Sequence, residues 1–207
     1  MSTVVLLVLL ACVCAYTLSL LRCRRRLEAE LDEVRANWID RQTLLGGREA
    51  FSDELQLEIL RTARTGRPAC LIVLRLEDDP EDDAKREAQR MDLVWVLNST
   101  MRAIDRRYRI GADEFALLLP ETRARGGLAA ARRVESELDA AGVGRITAGV
   151  AELGPGIDRQ LVFRHAYCAF LAAGQHGRST ILAYSPELKP NAELDTQLDV
   201  VPEIEPA

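Results

Sequence analysis

The sequence lacks the charge excess and the metal-binding motifs that would indicate two large classes of protein. Its formal net charge is −5, so no basic surface points to nucleic acid as a general partner. Its two histidines, His165 and His176, are not accompanied by a CxxC pair, so a zinc site is not expected. Both are therefore predicted to be packing or surface residues. The five cysteines occur in or beside apolar stretches, which is typical of small apolar residues in a reducing compartment.

One segment lacks charge altogether. Residues Thr3 to Leu21 form an apolar run dominated by Val, Leu, Ala and Cys. A helix needs about 20 residues to cross a bilayer, so this run is long enough. The cluster that follows it directly consists of Arg22, Arg24, Arg25 and Arg26. Because such a cluster resists translocation, we expect a single transmembrane helix over residues 3–21, with the rest of the chain in the cytoplasm.

Cleavage of this segment is the alternative. A signal peptide carries positive charge ahead of its apolar run, and Met1-Ser2-Thr3 has none. The stretch Leu9-Leu10-Ala11-Cys12 resembles a lipoprotein cleavage site. Cleavage there would leave an apolar stub and place the arginine cluster on the wrong side of the membrane. An uncleaved anchor is therefore the preferred interpretation.

The segments on either side of the central domain have distinct patterns. Residues 22–39 join the basic cluster to apolar residues spaced by four, three and four, namely Leu27, Leu31, Val34 and Trp38. This pattern predicts a short coiled-coil stalk that aligns two chains as a homodimer, and a helix packing on its own domain is the alternative. Residues 185–207 are acidic, contain several prolines and show no periodicity. They predict a disordered tail.

Residues 40–184 alternate between helical and strand-like stretches. The predicted helices are 46–63, 81–104, 122–141 and 158–173, and the predicted strands are 70–76, 108–110, 115–119, 146–151 and 179–184. Two of these strands flank a short turn that contains Gly111 and Asp113, which is typical of a β-hairpin. Trp95 is expected in the core beside Val94. Strands that alternate with helices around a central hairpin predict an α/β (α+β) domain of the ferredoxin-like kind.

The stretch from Arg102 to Phe115 resembles the RxxD…RxGGDEF core of the diguanylate cyclases. It holds an RxxD pattern, an arginine at 109, and the letters Gly-Ala-Asp-Glu-Phe. Four further blocks follow in the family's order. Residues 40–51 are similar to DxLTGLxNRxxF, residues 118–122 to LLPxT, residues 147–151 to SxGVA, and residues 166–181 to the closing helix and strand. The resemblance covers nearly all of the domain. It implies a nucleotidyl-cyclase-type fold in a bacterial signalling protein of the inner (cytoplasmic) membrane.

The resemblance also implies which residues would do the chemistry. Diguanylate cyclases condense two GTP molecules into cyclic di-GMP with Mg²⁺, held by carboxylates of the hairpin and of a DxD at the end of the first strand. Asp113 and Glu114 keep the hairpin carboxylates, and Asp113 is the metal ligand if the domain is active. The DxD positions fall on Arg75 and Glu77. An arginine cannot bind Mg²⁺. A two-residue register slip would preserve side-chain alternation and offer Glu77 and Asp79 instead.

Other nucleotide-binding positions of the family differ as well. Its guanine-binding stretch is replaced by the acidic residues 78–83, and only Glu87 falls where its final Asp would lie. The phosphate-binding lysine falls on Gly174, while Arg178 of the closing GR pair remains. Ala112 replaces the second glycine of GGDEF, where a methyl group is expected to hinder the turn or the nucleotide. These departures predict a degenerate, catalytically inactive domain without a cofactor, whereas an active one would need Mg²⁺.

The inhibitory site of the family is better preserved. Arg102 and Asp105 occupy its RxxD positions ahead of the hairpin, and Arg133 falls where a second arginine joins from the following helix. Arginine forks suit phosphate oxygens, and a carboxylate accepts hydrogen bonds from guanine. The resemblance therefore implies that these three residues bind cyclic di-GMP. The alternative is that a four-residue pattern at a helix end is simply a solvated surface.

Three functions follow from these observations. The preferred hypothesis is a membrane-tethered, catalytically inactive GGDEF protein that binds cyclic di-GMP and relays this to an unknown protein partner. The second is an active diguanylate cyclase that uses Asp113 with Glu77 or Asp79. The third is a scaffold that binds no nucleotide and acts through its stalk, surface or tail.

Overall fold

A computed structural model of the chain describes residues 20, 22, 24, 38–77, 82–175 and 180–188. The predicted tail after residue 188, most of the stalk and nearly all of the predicted membrane span lie outside the described residues. Among the described residues, no helix is both long and apolar enough to cross a bilayer. The part from Trp38 to Leu188 contains the predicted GGDEF-like domain.

Helices and strands alternate along the domain. In the described residues the helices are α1 (Arg48–Thr65), α2 (Asp83–Thr100), α3 (Ala124–Ala141) and α4 (Arg159–Gln175). The strands are β1 (Ala69–Leu76), β2 (Arg106–Arg109), β3 (Glu114–Pro120), β4 (Ile146–Leu153) and β5 (Ile181–Ala183). Every helix and strand predicted for residues 40–184 is present, with ends shifted by a few residues.

The strands form one sheet in the order β2-β3-β1-β4-β5. The neighbours β2–β3, β3–β1 and β1–β4 are antiparallel, and β5 adds a parallel strand beside β4. The order β1-α2-β2-β3-α3-β4, with β1 in the middle of the sheet, is the ferredoxin-like arrangement. The predicted sheet-and-helix fold class is therefore confirmed.

Strand β1 contributes side chains to the hydrophobic cores on both faces of the sheet. Its residues from Ala69 to Leu74 are all buried, because helices cover both faces of the sheet. Side chains alternate between two cores. Cys70, Ile72 and Leu74 pack with buried residues of α2 and α3, whereas Ala69, Leu71 and Val73 pack with those of α1 and α4. Each core buries leucine, isoleucine, valine or phenylalanine side chains worth about 1.5–3 kcal/mol apiece.

Helix α4 lies directly on strand β4 at Gly149. A Cβ atom added at Gly149 would fall 2.1 Å from both the carbonyl oxygen of Ala166 and the backbone nitrogen of Phe170. No side chain other than hydrogen fits between these two backbones. The glycine of the SxGVA-like block therefore sets the distance between this helix and the sheet.

Two expectations about helix α2 are corrected by the structure. The helix ends at Thr100 rather than at Ile104, because Met101 is extended and the chain then turns at residues 102–105. Trp95 is 66% exposed, although Val94 beside it is buried. The helical repeat places Val94 and Leu97 on the sheet face and turns Trp95 outward.

Three side chains expected to pack, those of His165, Cys70 and Cys168, do so, and His176 lies outside the described residues. His165 stacks on Tyr184 with ring centroids 3.8 Å apart. Cys70 and Cys168 are both buried. Burial, together with the charge of Glu152, raises the pKa of the Cys70 thiol to about 12. This thiol is therefore protonated at neutral pH and acts as a small apolar residue.

Candidate functional site

The β2–β3 hairpin presents the Gly-Ala-Asp-Glu motif at one edge of the sheet. Its turn is closed by hydrogen bonds from the backbone N–H groups of Ile110 and Gly111 to the carbonyl of Glu114, at 2.9 and 3.2 Å. A Cβ at Gly111 would lie 3.2 Å from the Cβ of Glu114, so the first glycine of the motif is tightly fitted. Ala112 is exposed and its backbone is not in the left-handed region. The turn therefore accommodates the alanine without strain, contrary to the expectation that its methyl group hinders the turn.

Arg109 fastens this turn to the segment that opens the domain. Its guanidinium donates to the carbonyls of Gly111 at 3.2 Å and Ala112 at 2.8 Å, and to both carboxylate oxygens of Asp40 at 3.2 Å. Asp40 also accepts from the N–H and hydroxyl of Thr43, at 2.7 and 2.6 Å. Asp40 and Thr43, the first and fourth residues of the DxLT-like block, thus form one hydrogen-bonded unit with Arg109 of the hairpin.

The ionisation of Asp40 reflects these bonds. Burial by itself raises the pKa of Asp40. The hydrogen bonds from Thr43, followed by the charge and hydrogen bond of Arg109, lower this pKa, and their combined effect is larger than that of burial. The pKa of Asp40 therefore lies below its usual value of 3.8. The charged carboxylate is the form that joins the opening segment to the hairpin.

Asp113, the third residue of the motif, is bound by an arginine. The guanidinium of Arg90 on α2 donates to the Asp113 carboxylate at 2.8 Å. The same arginine is paired with Glu87, one helical turn earlier. The Arg90 side chain is only 12% exposed, while that of Asp113 is 46% exposed. The negative charge of Asp113 is therefore balanced within the protein.

Glu114 and Arg75 are cross-strand neighbours on the adjacent strands β3 and β1. They are paired in the register between β1 and β3, and the hydroxyl of Tyr167 on α4 donates to Glu114 at 3.2 Å. Burial, followed by the Glu114 charge, raises the pKa of Tyr167 to about 12. The Arg75 guanidinium lies over the ring of Phe170, 5.3 Å from its centroid, which is a cation–π distance. The first DxD position thus holds a cation beside the motif.

A cavity of about 300 Å³ lies where β1, α2 and the hairpin meet. The charged residues that line it are three arginines and two acidic residues, namely Arg75, Arg86, Arg90, Glu77 and Asp113. Oxygen ligands of a divalent cation must come from groups that are not already neutralised. Asp113 is held by Arg90, and Arg75 adds a further positive charge, so Glu77 is the one lining carboxylate that no arginine of the described residues engages. A single carboxylate beside three arginines does not fit Mg²⁺. Within the described chain, no three His, Cys, Asp or Glu side chains group as metal ligands.

The other positions that the resemblance assigns to nucleotide binding fall around this cavity or away from it. Glu77 lines it, and its Oε1 atom is buried with no hydrogen-bond partner among the described residues. Glu87 does not line the cavity, but it is paired with Arg90, which does. Gly174 is exposed near the end of α4, and nothing lies within 4 Å of a Cβ added there. Arg178 and Asp79 lie outside the described residues.

The RxxD residues form a tight turn after α2. The carboxylate of Asp105 accepts from the backbone N–H of Arg102 at 2.9 Å, and the backbone N–H of Asp105 donates to the Arg102 carbonyl at 3.1 Å. Arg133 on α3 donates to the carbonyl of Thr100 at 2.9 Å. The structure thus brings the Arg133 guanidinium to the C-terminal end of α2, next to this turn. Arg102 and Arg133 are exposed, whereas Asp105 is only 3% exposed.

Sequence reasoning missed several residues of the site. Arg86 and Arg90 are four residues apart on α2, so they lie on one face of that helix. Their place in the helix that follows β1 was the available signal that they lie near the end of that strand. Tyr167 lies in the closing block of the resemblance, but nothing in the sequence links it to Glu114. The partners in these contacts come from different elements, and pairing of that kind is set by packing.

The fold is that of GGDEF domains. The coiled coil and GGDEF domain of DgcB from Caulobacter crescentus, in complex with c-di-GMP, matches with a TM-score of 0.66 and 22% identity, over 82% of this chain and 97% of that one. Diguanylate cyclase SiaD from Pseudomonas aeruginosa, in complex with its activator SiaC, matches at 0.64 and 23%, over 86% and 72%.

A third solved structure extends the comparison to an enzyme described as active. The GGEEF domain of a diguanylate cyclase from Vibrio cholerae matches with a TM-score of 0.63 and 18% identity, over 68% of this chain and 97% of that one. No protein-family model and no curated protein matches the sequence. At these identities the likeness establishes the fold, and function has to be argued from the residues of this chain.

Proposed function

We propose that this chain is a membrane-anchored signalling protein whose GGDEF-type domain is catalytically inactive, binds cyclic di-GMP at Arg102, Asp105 and Arg133, and relays the bound state to a protein partner. The observation that carries the proposal is the contact between Arg133 and the Thr100 carbonyl. It places exposed arginines from two segments at one turn, as a ligand with phosphate groups requires. The DgcB domain of the same fold is in complex with c-di-GMP.

The three residues have different parts in this proposal. The exposed guanidinium groups of Arg102 and Arg133 take the phosphate oxygens, since arginine binds them in a fork. The buried carboxylate of Asp105 holds the turn through its Oδ2 atom. Its Oδ1 atom is buried and has no hydrogen-bond partner in the described chain. An N–H group of the ligand's guanine would satisfy this atom once the turn opens locally, which offsets part of the cost of opening.

Catalytic inactivity follows from the charges at the hairpin. Phosphoryl transfer needs divalent cations that neutralise the triphosphate. Here Asp113 is engaged by Arg90, and Arg75 occupies the strand position that the family uses for a metal-binding carboxylate. Glu114 is engaged by Tyr167. The hairpin carboxylates therefore serve as structural partners of side chains on α2 and α4.

The anchor and the partner rest on the sequence and on one comparison. The uncharged run of residues 3–21 followed by arginines supports a single-pass anchor in the bacterial inner membrane, with the domain in the cytoplasm. The heptad pattern of residues 27–38 supports a homodimer through the stalk. SiaD, which shares the fold, is in complex with its activator SiaC. A protein partner that responds to the liganded domain fits these features.

The test is calorimetric titration of cyclic di-GMP into the full chain, purified in detergent. Wild type is expected to bind saturably. Arg102→Ala and Arg133→Ala are each expected to weaken binding roughly tenfold or more, since a hydrogen bond to a charged group contributes about 1.5–3 kcal/mol. Arg132→Ala is the matched control, because Arg132 is an exposed neighbour of Arg133 on α3. Its affinity is expected to stay within about twofold of wild type.

Two outcomes of this titration would contradict the proposed binding of cyclic di-GMP at Arg102, Asp105 and Arg133. If wild type shows a cooperative thermal unfolding transition, and is therefore folded, but takes up no cyclic di-GMP, the domain is not a receptor for it. A scaffold that acts without nucleotide would then explain the preserved fold. Equal loss of affinity in Arg132→Ala and Arg133→Ala would place the ligand elsewhere on the basic surface.

A further inference from the structure

The outer face of α1 carries exposed leucines and arginines in its last turns. Leu57 is 62% exposed and Leu60 is 56% exposed, where a surface helix normally presents polar side chains. Arg61 and Arg64, both exposed, each lie four residues after one of these leucines, so all four side chains share one helix face. We propose that these four residues, the α1 docking face, bind an anionic lipid surface. This role rests on the membrane anchor proposed above.

The exposed charges of this part of the chain all have one sign. In residues 56–67 every exposed charged side chain is an arginine. The acid in this stretch, Glu58, is 5% exposed and accepts a hydrogen bond from Arg61 at 2.8 Å, while the Arg61 side chain stays 56% exposed. Arg67, beyond the helix end, is paired with the exposed Glu121. Leucines flanked by arginines, with no exposed acid in these described turns, are typical of helices that lie on anionic membranes.

Other occupants fit the α1 docking face less well. In a two-fold dimer a surface patch meets its own copy, so Arg61 and Arg64 would face the same arginines of the second chain. A stable protein interface buries about 800 Å² on each partner, and two leucines with two arginines supply only part of that area. A membrane needs no such area, because the anchor already keeps the domain near the lipid at a high effective concentration. Anionic headgroups also complement the arginines, which are attracted within a Debye length of the surface.

The chain between the predicted anchor and α1 is long enough for this contact. The stalk predicted for residues 22–39 would span about 27 Å as a helix. Helix α1 begins at Arg48, soon after the stalk, and its docking face lies about 14–24 Å from that end. Because the two lengths match, the docking face reaches the bilayer when α1 runs back toward the membrane.

Docking on this face fixes which side of the domain is turned to the cytoplasm. Helices α1 and α4 cover one face of the sheet, and α2 and α3 cover the other. A flat lipid surface in contact with α1 therefore leaves α2 and α3 on the side of the sheet away from the lipid. Arg133 lies on α3 and bonds to the end of α2, next to Arg102, so a soluble nucleotide keeps access to both arginines. Membrane docking would thus orient the receptor as well as tether it.

The test measures modification of individual arginines by phenylglyoxal, an uncharged reagent, in the full chain. The chain is incorporated into lipid nanodiscs of phosphatidylcholine alone or with roughly 30% phosphatidylglycerol, and modified peptides are quantified by mass spectrometry. Arg64 is expected to react roughly fivefold or more slowly in the anionic discs, because bound lipid covers it. Arg132, exposed on α3, is the internal control and should react at the same rate in both kinds of disc.

Two changes separate the effect of charge from that of the leucines. NaCl at about 0.5 M shortens the Debye length to roughly 4 Å and should remove most of the protection of Arg64. Leu57→Ser/Leu60→Ser in the full chain should reduce this protection to less than about twofold, because apolar burial adds to lipid binding. Met91→Ser is the matched control, since Met91 is 41% exposed on α2, on the opposite side of the sheet. It should leave the protection of Arg64 unchanged.

The other outcomes reject the α1 docking face as a lipid-binding surface. Equal reactivity of Arg64 in both kinds of disc would exclude binding to anionic lipid. Protection that is already present in non-ionic detergent would mean that a second copy or the acidic tail covers the face. Equal loss of protection in Met91→Ser and in the double variant would show that the leucines have no specific part. Failure of the chain to enter the discs would reject the anchor as well, whereas incorporation without protection rejects docking alone.

Discussion

The guanidinium of Arg90 lies 2.8 Å from the carboxylate of Asp113, across 23 residues of sequence. Asp113 is the residue of the hairpin motif that the resemblance assigns to a metal ion. In this protein its charge is balanced by a side chain that is only 12% exposed. The motif is thus part of the packing between α2 and the hairpin, and the stability of the domain is expected to depend on this contact.

The Arg90–Asp113 pair is expected to contribute measurably to folding. A double-mutant cycle with Arg90→Gln and Asp113→Asn should give a coupling free energy of about 1 kcal/mol, since one partner is largely buried. The control cycle uses the exposed pair Arg67–Glu121, whose side chains are 67% and 56% exposed, and which should give about 0–0.5 kcal/mol. Urea unfolding provides the free energies. Equal coupling in the two cycles would show that burial of Arg90 adds nothing.

The close approach of α4 to β4 predicts a steric effect at Gly149. Gly149→Ala should destabilise the domain by about 3 kcal/mol or more, because the added Cβ meets two backbone atoms at 2.1 Å. Gly174→Ala, near the end of α4, is the control, because nothing lies within 4 Å of the added atom there. It should be neutral or stabilising by up to about 1 kcal/mol, since glycine is a poor helix former. Similar losses of stability in both variants would contradict this packing.

The contacts of Asp40 predict a pH dependence of stability. Because the folded pKa of Asp40 is below its usual value of 3.8, the stability it contributes is fully present above about pH 3.8 and is lost as the pH falls through the folded value. Asp40→Asn should therefore be less stable than wild type at pH 6, and the difference should shrink below about pH 4. Urea unfolding at pH 6, 5, 4 and 3 measures it. A difference that stays constant, or grows, toward pH 3 would exclude this contribution.

The RxxD turn separates a structural residue from a surface residue. Asp105→Ala should cost about 1–2 kcal/mol of folding free energy, because it removes a buried acceptor of the Arg102 N–H. Arg102→Ala should change stability by less than about 0.5 kcal/mol, since that side chain is exposed. Thermal or urea unfolding of both variants measures these changes in the free energy of unfolding. If Arg102→Ala destabilises as much as Asp105→Ala, its loss of ligand binding could not be attributed to the ligand contact.

Catalysis is expected to be absent. Wild type incubated with GTP and either Mg²⁺ or Mn²⁺ should form no cyclic di-GMP, because Arg75 and Arg90 occupy the surroundings of Asp113. An active diguanylate cyclase assayed in parallel serves as the positive control. Product formation that is lost in Asp113→Asn would reverse the conclusion, and would mean that Asp113 and Glu77 together hold a metal ion.

Much of the architecture was predictable because its signals are local. The alternation of apolar residues in β1, the Gly111 turn and the apolar spacing of the helices each occupy a few neighbouring residues. The end of α2 was not predictable from spacing, since it depends on how the Asp105 carboxylate closes the following turn. Trp95 was misplaced for a related reason, because the position of the sheet decides which part of an apolar helix is covered.

For the candidate site, too, the residues of the motifs could be predicted from the sequence, but their contact partners could not. The positions of Asp113, Glu114, Arg75, Arg102 and Arg133 were identified from the motifs and their order. Their partners were not, because the sequence carries no mark of contacts between elements. Arg90 could be noticed as a neighbour of Arg86 on one helix face, yet only packing of α2 on the sheet shows that it reaches Asp113.

What the sequence by itself determined is the order of helices and strands, the hairpin with its motif, and the arginine at the end of the first strand, since these depend on residue type and short-range periodicity. Tertiary structure alone decided the bonds of Arg90 to Asp113, Arg133 to Thr100 and Arg109 to Asp40, which join residues 23, 33 and 69 positions apart. The physical reason is that such contacts form only when packing of the two cores brings separate elements together, and it is these contacts that fasten the hairpin motif to α2 and to the opening segment.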